Sequence, residues 1–338
     1  MLNVGLVGYG LAGRAFHAPF IMAVDDLRLA AVVSRDATKV HADLPEVAVL
    51  PDLAALLATP ALDLVVVASP DHLHAEHALA ALDAGKHVLV DKPLAPTLAD
   101  ARTIVARAEA AGRILCVFHN RRWDADFLTV RRLIADGTLG RVVQFESRFD
   151  RFCPAPAPTW KEARAGGVWQ DLGPHLVDQT LQLFGRPRAI LCDIATLRDG
   201  DAAADHFHAL LRYDRLRVVL QANKVVADWG LRFAVHGTGG SFVKHGTDPQ
   251  EAAAVAGREP GCADWGIDPR PGLLTPAGDG AAHRIDGERG DYGRLYAALA
   301  AAIRGEGPNP VPASEALAVM EVLEAGLRSA SERREIEL

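Results

Sequence analysis

The tightest constraint on what this chain can fold into lies in its first few residues. Leu2-Asn3-Val4-Gly5-Leu6-Val7 is an apolar run of strand length, and it leads directly into Gly8-Tyr9-Gly10-Leu11-Ala12-Gly13, after which a helical pattern begins. A G-x-G-x-x-G loop between a buried strand and a helix start lets the backbone approach a pyrophosphate, which then rests on the positive end of the helix. Gly8, Gly10 and Gly13, with Leu11 and Ala12 between them, are therefore the candidate phosphate cradle of a dinucleotide-binding βαβ unit. The alternative is a tight glycine turn that holds no ligand.

The alternation of strand and helix continues along the chain. Up to about residue 120, short apolar runs at 2–7, 27–34, 47–50, 63–68, 87–90 and 114–117 alternate with helical spacing at 52–58, 74–84 and 97–111. That alternation predicts parallel strands joined by helical crossovers. Continuous runs such as Leu64-Val65-Val66-Val67 suit a sheet covered on both faces. Thr97-Leu98-Ala99-Asp100 has the form of a helix capping box. Residues 1–120 are thus expected to form a Rossmann domain, a doubly wound parallel sheet of the α/β class.

Past Gly140 the apolar positions alternate with polar ones. Phe207, Ala209 and Leu211 share one face of a strand, while His206, His208 and Arg212 share the other. Gly237-Thr238-Gly239-Gly240 reads as a hairpin turn. Residues 121–338 are expected to form an α+β domain with an open, mostly antiparallel sheet, used for substrate binding and oligomerisation. Residues 248–280, rich in Gly, Pro and Ala, read as a long loop, and helices are expected around 292–304 and 313–333.

Composition excludes several classes. The 338 residues are enough for two domains with cores of their own, and 49% hydrophobic against 23% charged residues is the balance of a globular protein. Lys plus Arg number 36 against 43 Asp plus Glu, a net charge of -7, and no basic stripe is present to neutralise phosphates, so no nucleic-acid partner is expected. The four cysteines lie far apart without a C-x-x-C pair and read as reduced thiols. With no signal-like start and no apolar run long enough for a span, the expectation is a cytoplasmic protein without a membrane partner.

Four further segments carry chemistry. Ser34-Arg35-Asp36 stands at the end of the second strand, where an NAD-selective fold usually has an acid for the ribose hydroxyls. Arg35 and Ser34 there suit a 2′-phosphate and point to NADP, with NAD as the second option; in the bland reading Arg35 is solvated and Asp36 caps the next helix. Asp91-Lys92-Pro93 ends the fifth strand, where open α/β sheets place ligands, and Lys92 is either a donor to a reacting oxygen or a surface lysine. Asp171 and His175 lie one helical turn apart, suited to orienting and protonating an imidazole, although Pro174 between them is awkward for a helix interior. His72, His74 and His77 invite a metal reading, which the absence of an accompanying acidic ligand motif argues against. No metal is expected.

Together these segments resemble the Gfo/Idh/MocA family of NAD(P)-dependent oxidoreductases. The resemblance runs over nearly the whole chain, from the glycine loop through Ala68-Ser69-Pro70-Asp71 with His74, Ala84-Gly85-Lys86-His87-Val88 and Asp91-Lys92-Pro93 to Asp171, Gly173 and His175. Phe118-His119-Asn120-Arg121-Arg122-Trp123-Asp124 and Asp171-Leu172-Gly173-Pro174-His175-Leu176-Val177-Asp178-Gln179 are similar to the branch containing NADP-dependent scyllo-inositol dehydrogenases. The resemblance implies that Lys92, Asp171 and His175 form the catalytic group. It also implies that Ser69, Pro70, His74, Asp91 and Lys92 join the glycine loop, Ser34 and Arg35 in holding cofactor, and that Arg121 and Trp160 face substrate. Trp160 is equally readable as core. The family's E-K-P has become Asp91-Lys92-Pro93, with the acid one methylene shorter than the Glu that contacts the ribose.

The function implied is hydride transfer between NADP and a secondary alcohol or ketone of a polyol or sugar. The alternatives are oxidation of an aldose at C1 and a non-enzymatic NADP-binding regulator. Retention of Lys92, Asp171 and His175 favours an enzyme over a sensor, which needs only the loop. A homo-oligomer is expected, since an open antiparallel sheet has a face or edge to protect, and the resemblance implies a homodimer or homotetramer.

Overall fold

The computed structural model describes residues 1–155, 167–200, 203–228, 230–278 and 280–338. The chain folds into two units, one made of Met1–Trp123, Gln250–Trp265 and Asp291–Leu317, the other of Asp124–Pro249, Gly266–Gly290 and Ala318–Leu338.

In the first unit, β1 (Leu2–Val7), β2 (Leu27–Val33), β3 (Ala48–Leu50), β4 (Leu64–Val67), β5 (His87–Val90) and β6 (Leu115–Val117) form one sheet in the order β3-β2-β1-β4-β5-β6. Every neighbouring pair is parallel. The sheet is the doubly wound one expected, and its order reverses between β1 and β4, the point at which such sheets bind nucleotides. The apolar runs behave as their composition demands: all four residues of β4 are fully buried. Helix starts are fixed by side-chain caps, with Asp36, Asp52 and Thr97 accepting from the backbone N–H groups of Lys39, Ala55 and Asp100. In the expected capping box, the Asp100 carboxylate takes the Thr97 hydroxyl at 2.6 Å.

The segments Gln250–Trp265 and Asp291–Leu317 join this unit through aromatic packing. Phe20, on the helix Ala18–Met22, is fully buried, with Trp265, Tyr292 and Tyr296 at ring-centroid distances of 5.6, 5.9 and 6.3 Å. Such rings bury large apolar areas in small volumes, which is how short segments far along the chain are held.

The second unit is built on β7 (Val142–Arg148), β8 (Ala189–Ala195), β9 (His206–Arg212), β10 (Arg217–Asn223), β11 (Leu231–Gly237), β12 (Gly240–His245), β13 (Gly272–Pro276), β14 (His283–Ile285) and β15 (Ile336–Glu337). The order is β14-β13-β12-β11-β7-β10-β9-β8-β15, and only the β7/β10 pair is parallel. The β11/β12 hairpin turns at Thr238-Gly239, inside the expected glycine-rich turn. In β9, Phe207, Ala209 and Leu211 are buried while His208 is exposed, as the alternation predicts.

One expectation changes, and one point the sequence left open is answered. Residues 248–280 are not a continuous loop, because they contain the helix Gln250–Val255 and strand β13. Ala252, Ala253 and Ala254 are strong helix formers, and Leu273 and Leu274 supply a short strand that pairs with β12, signals obscured by the surrounding Gly and Pro. The helix Gly167–Phe184 continues through Pro174. Among the described residues no helix is long and apolar enough to cross a membrane.

Candidate active site

The glycine loop has the three different glycine environments that pyrophosphate binding needs. Gly8 adopts φ +102°, a left-handed conformation, and a Cβ there would also lie 2.7 Å from the Ala68 carbonyl oxygen. Gly13 sits so close beneath the turn that a Cβ would stand 2.1 Å from the Gly8 carbonyl oxygen. Gly10 differs: a Cβ built there meets nothing within 4 Å, so its backbone borders open space. Leu11 is 60% exposed beside it, and Ala12 begins the π-helical turn Ala12–His17. One glycine making the turn, one leaving backbone accessible and one closing helix on strand fit the pyrophosphate of a dinucleotide.

At the end of β2, the Ser34 backbone N–H donates to the Leu50 carbonyl at 3.1 Å, which ties the residue to the neighbouring strand. Arg35 is exposed. The Asp36 carboxylate accepts from the Lys39 N–H at 2.9 Å, and the Asp36 N–H donates to the Ser34 hydroxyl at 3.1 Å. Capping therefore turns the acid onto its own helix, as in the bland reading of this segment, and Arg35, Asp36 and Lys39 are all exposed at this corner.

The loops after β4 and β5 are tied together by a single imidazole. His74, only 2% exposed, has Nδ1 at 2.8 Å from the Pro93 carbonyl and Nε2 at 2.9 Å from the Ser69 carbonyl. His74 thus holds the Ser69-Pro70 turn and the Asp91-Lys92-Pro93 turn in register. His77 Nδ1 lies 3.0 Å from the Ser69 hydroxyl, and burial lowers its pKa. Both ring nitrogens of His74 and Nδ1 of His77 are thereby taken up in contacts with the loops. Asp91 accepts the Lys92 backbone N–H at 2.8 Å and is 3.9 Å from Nε2 of buried His17. Lys92 is half-buried, and its peptide bond to Pro93 is cis.

Arg121 and Arg122 lie on the turn Asn120–Trp123 and are both buried. The Arg121 guanidinium forms an ion pair with Glu251, and Arg122 donates to Glu315 at 2.7 Å and to the Pro310 carbonyl at 3.1 Å. Arg121 therefore binds a carboxylate of its own chain, within the same unit. Trp160 lies outside the described residues.

In the second unit Asp171 and His175 sit one turn apart on the helix Gly167–Phe184, so they share a face. His175 is 7% exposed, and its ring meets the Phe149 ring edge-on at 6.5 Å. The helix is fixed one turn further on, where Gln179 accepts from Arg232 at 2.8 Å. Fully buried Arg232 also donates to Ser147 and Asp126, at 2.6 and 3.2 Å, and its guanidinium carbon lies 4.0 Å from the centre of Phe149 and 3.9 Å from that of Phe233. The ring that meets the imidazole is thus also in contact with the Arg232 guanidinium.

Within the first unit the structure gathers the glycine loop, Ser69, His74, Asp91 and Lys92 around the strand ends; within the second it gathers Asp171 and His175. It adds His17, Tyr296 and Arg232, which no motif had singled out. His17 follows Gly13 by one helical turn, a spacing that could have flagged it, whereas Tyr296 is 279 residues from the histidine it contacts and gave no local signal.

Comparison with known proteins agrees with this architecture. The family model for the oxidoreductase family NAD-binding Rossmann fold matches residues 2–119, and that for the family's C-terminal alpha/beta domain matches residues 131–338. The chain is 46% identical over 344 residues to the uncharacterized oxidoreductase YdgJ of Escherichia coli K12, covering 98% of this chain and 97% of that protein. It is 36% identical over 343 residues to the scyllo-inositol 2-dehydrogenase (NADP(+)) IolW of Bacillus subtilis, covering 100% and 96%. An oxidoreductase structure from Klebsiella pneumoniae superimposes with a TM-score of 0.95 at 47% identity, covering 100% of this chain and 95% of the other. The chain belongs to the Gfo/Idh/MocA family and is an oxidoreductase of that family.

Proposed function

We propose that this enzyme uses NADP to interconvert a secondary alcohol and the matching ketone on a neutral polyol or sugar of the inositol type. The carrying observation is that a complete glycine cradle is accompanied by a half-buried carboxylate and a buried imidazole one helical turn apart. The whole-length similarity to a protein named as an inositol dehydrogenase supports the substrate class. When bound, the nicotinamide accepts or supplies the hydride. The chain's own residues handle protons and charge. In the oxidative direction the His175 imidazole takes the hydroxyl proton, Asp171 orients that imidazole and stabilises its charged form, and the Lys92 ammonium stabilises the developing oxyanion.

Preference for NADP is read from the second strand's end. With Asp36 capping its helix and the Ser34 hydroxyl bonded to the Asp36 backbone, exposed Arg35 is the group of this corner that would meet a 2′-phosphate. A charged hydrogen bond of about 1.5 to 3 kcal/mol corresponds to roughly one to two orders of magnitude in affinity. The test is a screen of polyols and sugars with NADP and NAD, read by the absorbance of reduced nicotinamide. Substrate-dependent reduction of NADP in preference to NAD supports the proposal, and turnover restricted to NAD overturns its cofactor half.

A further inference from the structure

The carboxylate of Asp91 is the meeting point of several parts of the first unit, and the proton and charge roles assigned above make no use of it. One oxygen accepts the Lys92 backbone N–H at 2.8 Å. The other faces Nε2 of His17 at 3.9 Å, within ion-pair range and too long for a hydrogen bond. His17 is fully buried, with its ring 4.4 Å from that of Phe118. Its Nδ1 lies 2.6 Å from the Tyr296 hydroxyl, whose other neighbour is the Phe16 carbonyl at 3.3 Å.

A neutral imidazole carries one N–H, and two tautomers fit these neighbours. With the proton on Nδ1 the ring donates to the tyrosine oxygen and the hydroxyl donates to the Phe16 carbonyl; with it on Nε2, facing the carboxylate, Nδ1 accepts from the Tyr296 hydroxyl, and only this second arrangement carries the chain on towards Asp91. Burial pushes the Asp91 carboxyl up, but His17, Lys92 and His74 outweigh it and hold the group down at about 2. The Tyr296 hydroxyl is raised by its burial, by Asp91 and by Cys116. Asp91 and Lys92, His74, Tyr296 and Cys116 are thus the titratable groups around this centre.

We propose that Asp91 is the positioning residue for Lys92, and that Tyr296 and His17 hold it in place, so that a chain of hydroxyl, imidazole and carboxylate fixes the turn from which the lysine ammonium projects. The inference rests on the reading of Lys92 as the oxyanion-stabilising group. It departs from what the family resemblance implies, a longer acid on the cofactor ribose: here the shorter carboxylate is engaged by its own turn and by His17.

Asp91→Asn keeps an acceptor for the Lys92 N–H and removes the charge facing His17, while Tyr296→Phe removes only the hydroxyl. Both are compared with the wild-type enzyme and Lys92→Ala, after circular dichroism has confirmed folding. Asp91→Asn is expected to lower kcat by about tenfold or more and to displace the pH profile of kcat, with Kd for NADPH within about threefold of wild type by fluorescence titration. Tyr296→Phe is expected to move kcat and the pH profile in the same direction by a smaller factor. In the unliganded protein, ¹⁵N NMR of His17 is expected to show the Nε2–H tautomer with Nδ1 accepting a hydrogen bond, a signature lost in Tyr296→Phe. An Asp91→Asn enzyme with Kd for NADPH raised about tenfold and an unmoved pH profile would overturn the inference, placing the carboxylate on the cofactor; so would an Nδ1–H tautomer. Loss of turnover in Lys92→Ala with none in Asp91→Asn overturns the inference alone. Full turnover in Lys92→Ala overturns the reading of Lys92 and the inference with it.

Discussion

Gly13 bears the strictest steric demand of any candidate site residue, because its missing Cβ would lie 2.1 Å from the Gly8 carbonyl oxygen, where no flexible side chain can give way. Gly13→Ala is therefore expected to displace the loop and weaken NADPH binding by about tenfold or more, read by fluorescence titration; an unchanged Kd would contradict the cradle. Arg35 is expected to act on one cofactor only. Arg35→Ala should raise Kd for NADP by roughly one to two orders of magnitude and leave that for NAD within a small factor, and equal losses with both would count against phosphate recognition. Asp91 gives a pH effect of definite sign. Its carboxyl lies below the ordinary carboxylate range, at about 2, so its contribution to stability is fully present above the unfolded value near 4 and is withdrawn as pH falls through about 2. Urea midpoints from pH 5 to 2 should fall less steeply in Asp91→Asn than in wild type. At this scale the sequence was legible wherever a motif is local. The glycine spacing and the Asp36 cap could be read from neighbours in the chain, whereas the Tyr296–His17 contact, spanning 279 residues, exists only once the fold has formed.

Among the elements, the helix Gly167–Phe184 has the most to reconcile, since it holds Asp171 and His175 with Pro174 in its interior. Proline removes the N–H that would bond the carbonyl of residue 170, a loss that in an isolated helix costs about 3 kcal/mol. Tertiary contacts offset it. The Trp169 indole N–H donates to the Leu323 carbonyl at 3.0 Å, its ring packs edge-on against Phe207 at 4.8 Å, and Gln179 is bonded to Arg232. These long-range contacts explain why helical propensity left the geometry at Asp171 open. Arg232→Ala should cost on the order of 3 to 5 kcal/mol in urea unfolding, because it strands the Asp126 carboxylate at 0% exposure without its cation. A loss under about 1 kcal/mol would show that the network does not anchor this helix. The strand β13 was hidden for a related reason: Leu273 and Leu274 are a brief apolar signal between Gly and Pro, and pairing with β12 rather than local pattern makes them a strand.

On the scale of the whole molecule, the two sheet types were visible in advance, because continuous apolar runs and strict alternation are different consequences of burial on two faces and on one. Discontinuity of the units was not visible, since it depends on aromatic packing of Trp265, Tyr292 and Tyr296 around Phe20. The nine-stranded sheet ends in the short strands β14 and β15, which blunt its edges, while Leu191, at 44% exposed, and the partly exposed Leu210 lie on a face left open to solvent. A second copy of the chain covering that face would make a symmetric dimer, and light scattering at micromolar concentration should give at least twice the chain's 36.1 kDa; a monomer mass would exclude it. The central claim is hydride transfer to NADP with proton and charge handled by His175 and Lys92. Its most direct measurement is the initial rate of NADP reduction over a panel of neutral polyols and sugars, for wild type, His175→Ala and Lys92→Ala. The predicted result is substrate-dependent reduction in wild type and losses on the order of 100-fold in each variant with NADPH binding retained; both variants turning over at the wild-type rate, or no polyol or sugar reducing NADP, would contradict it.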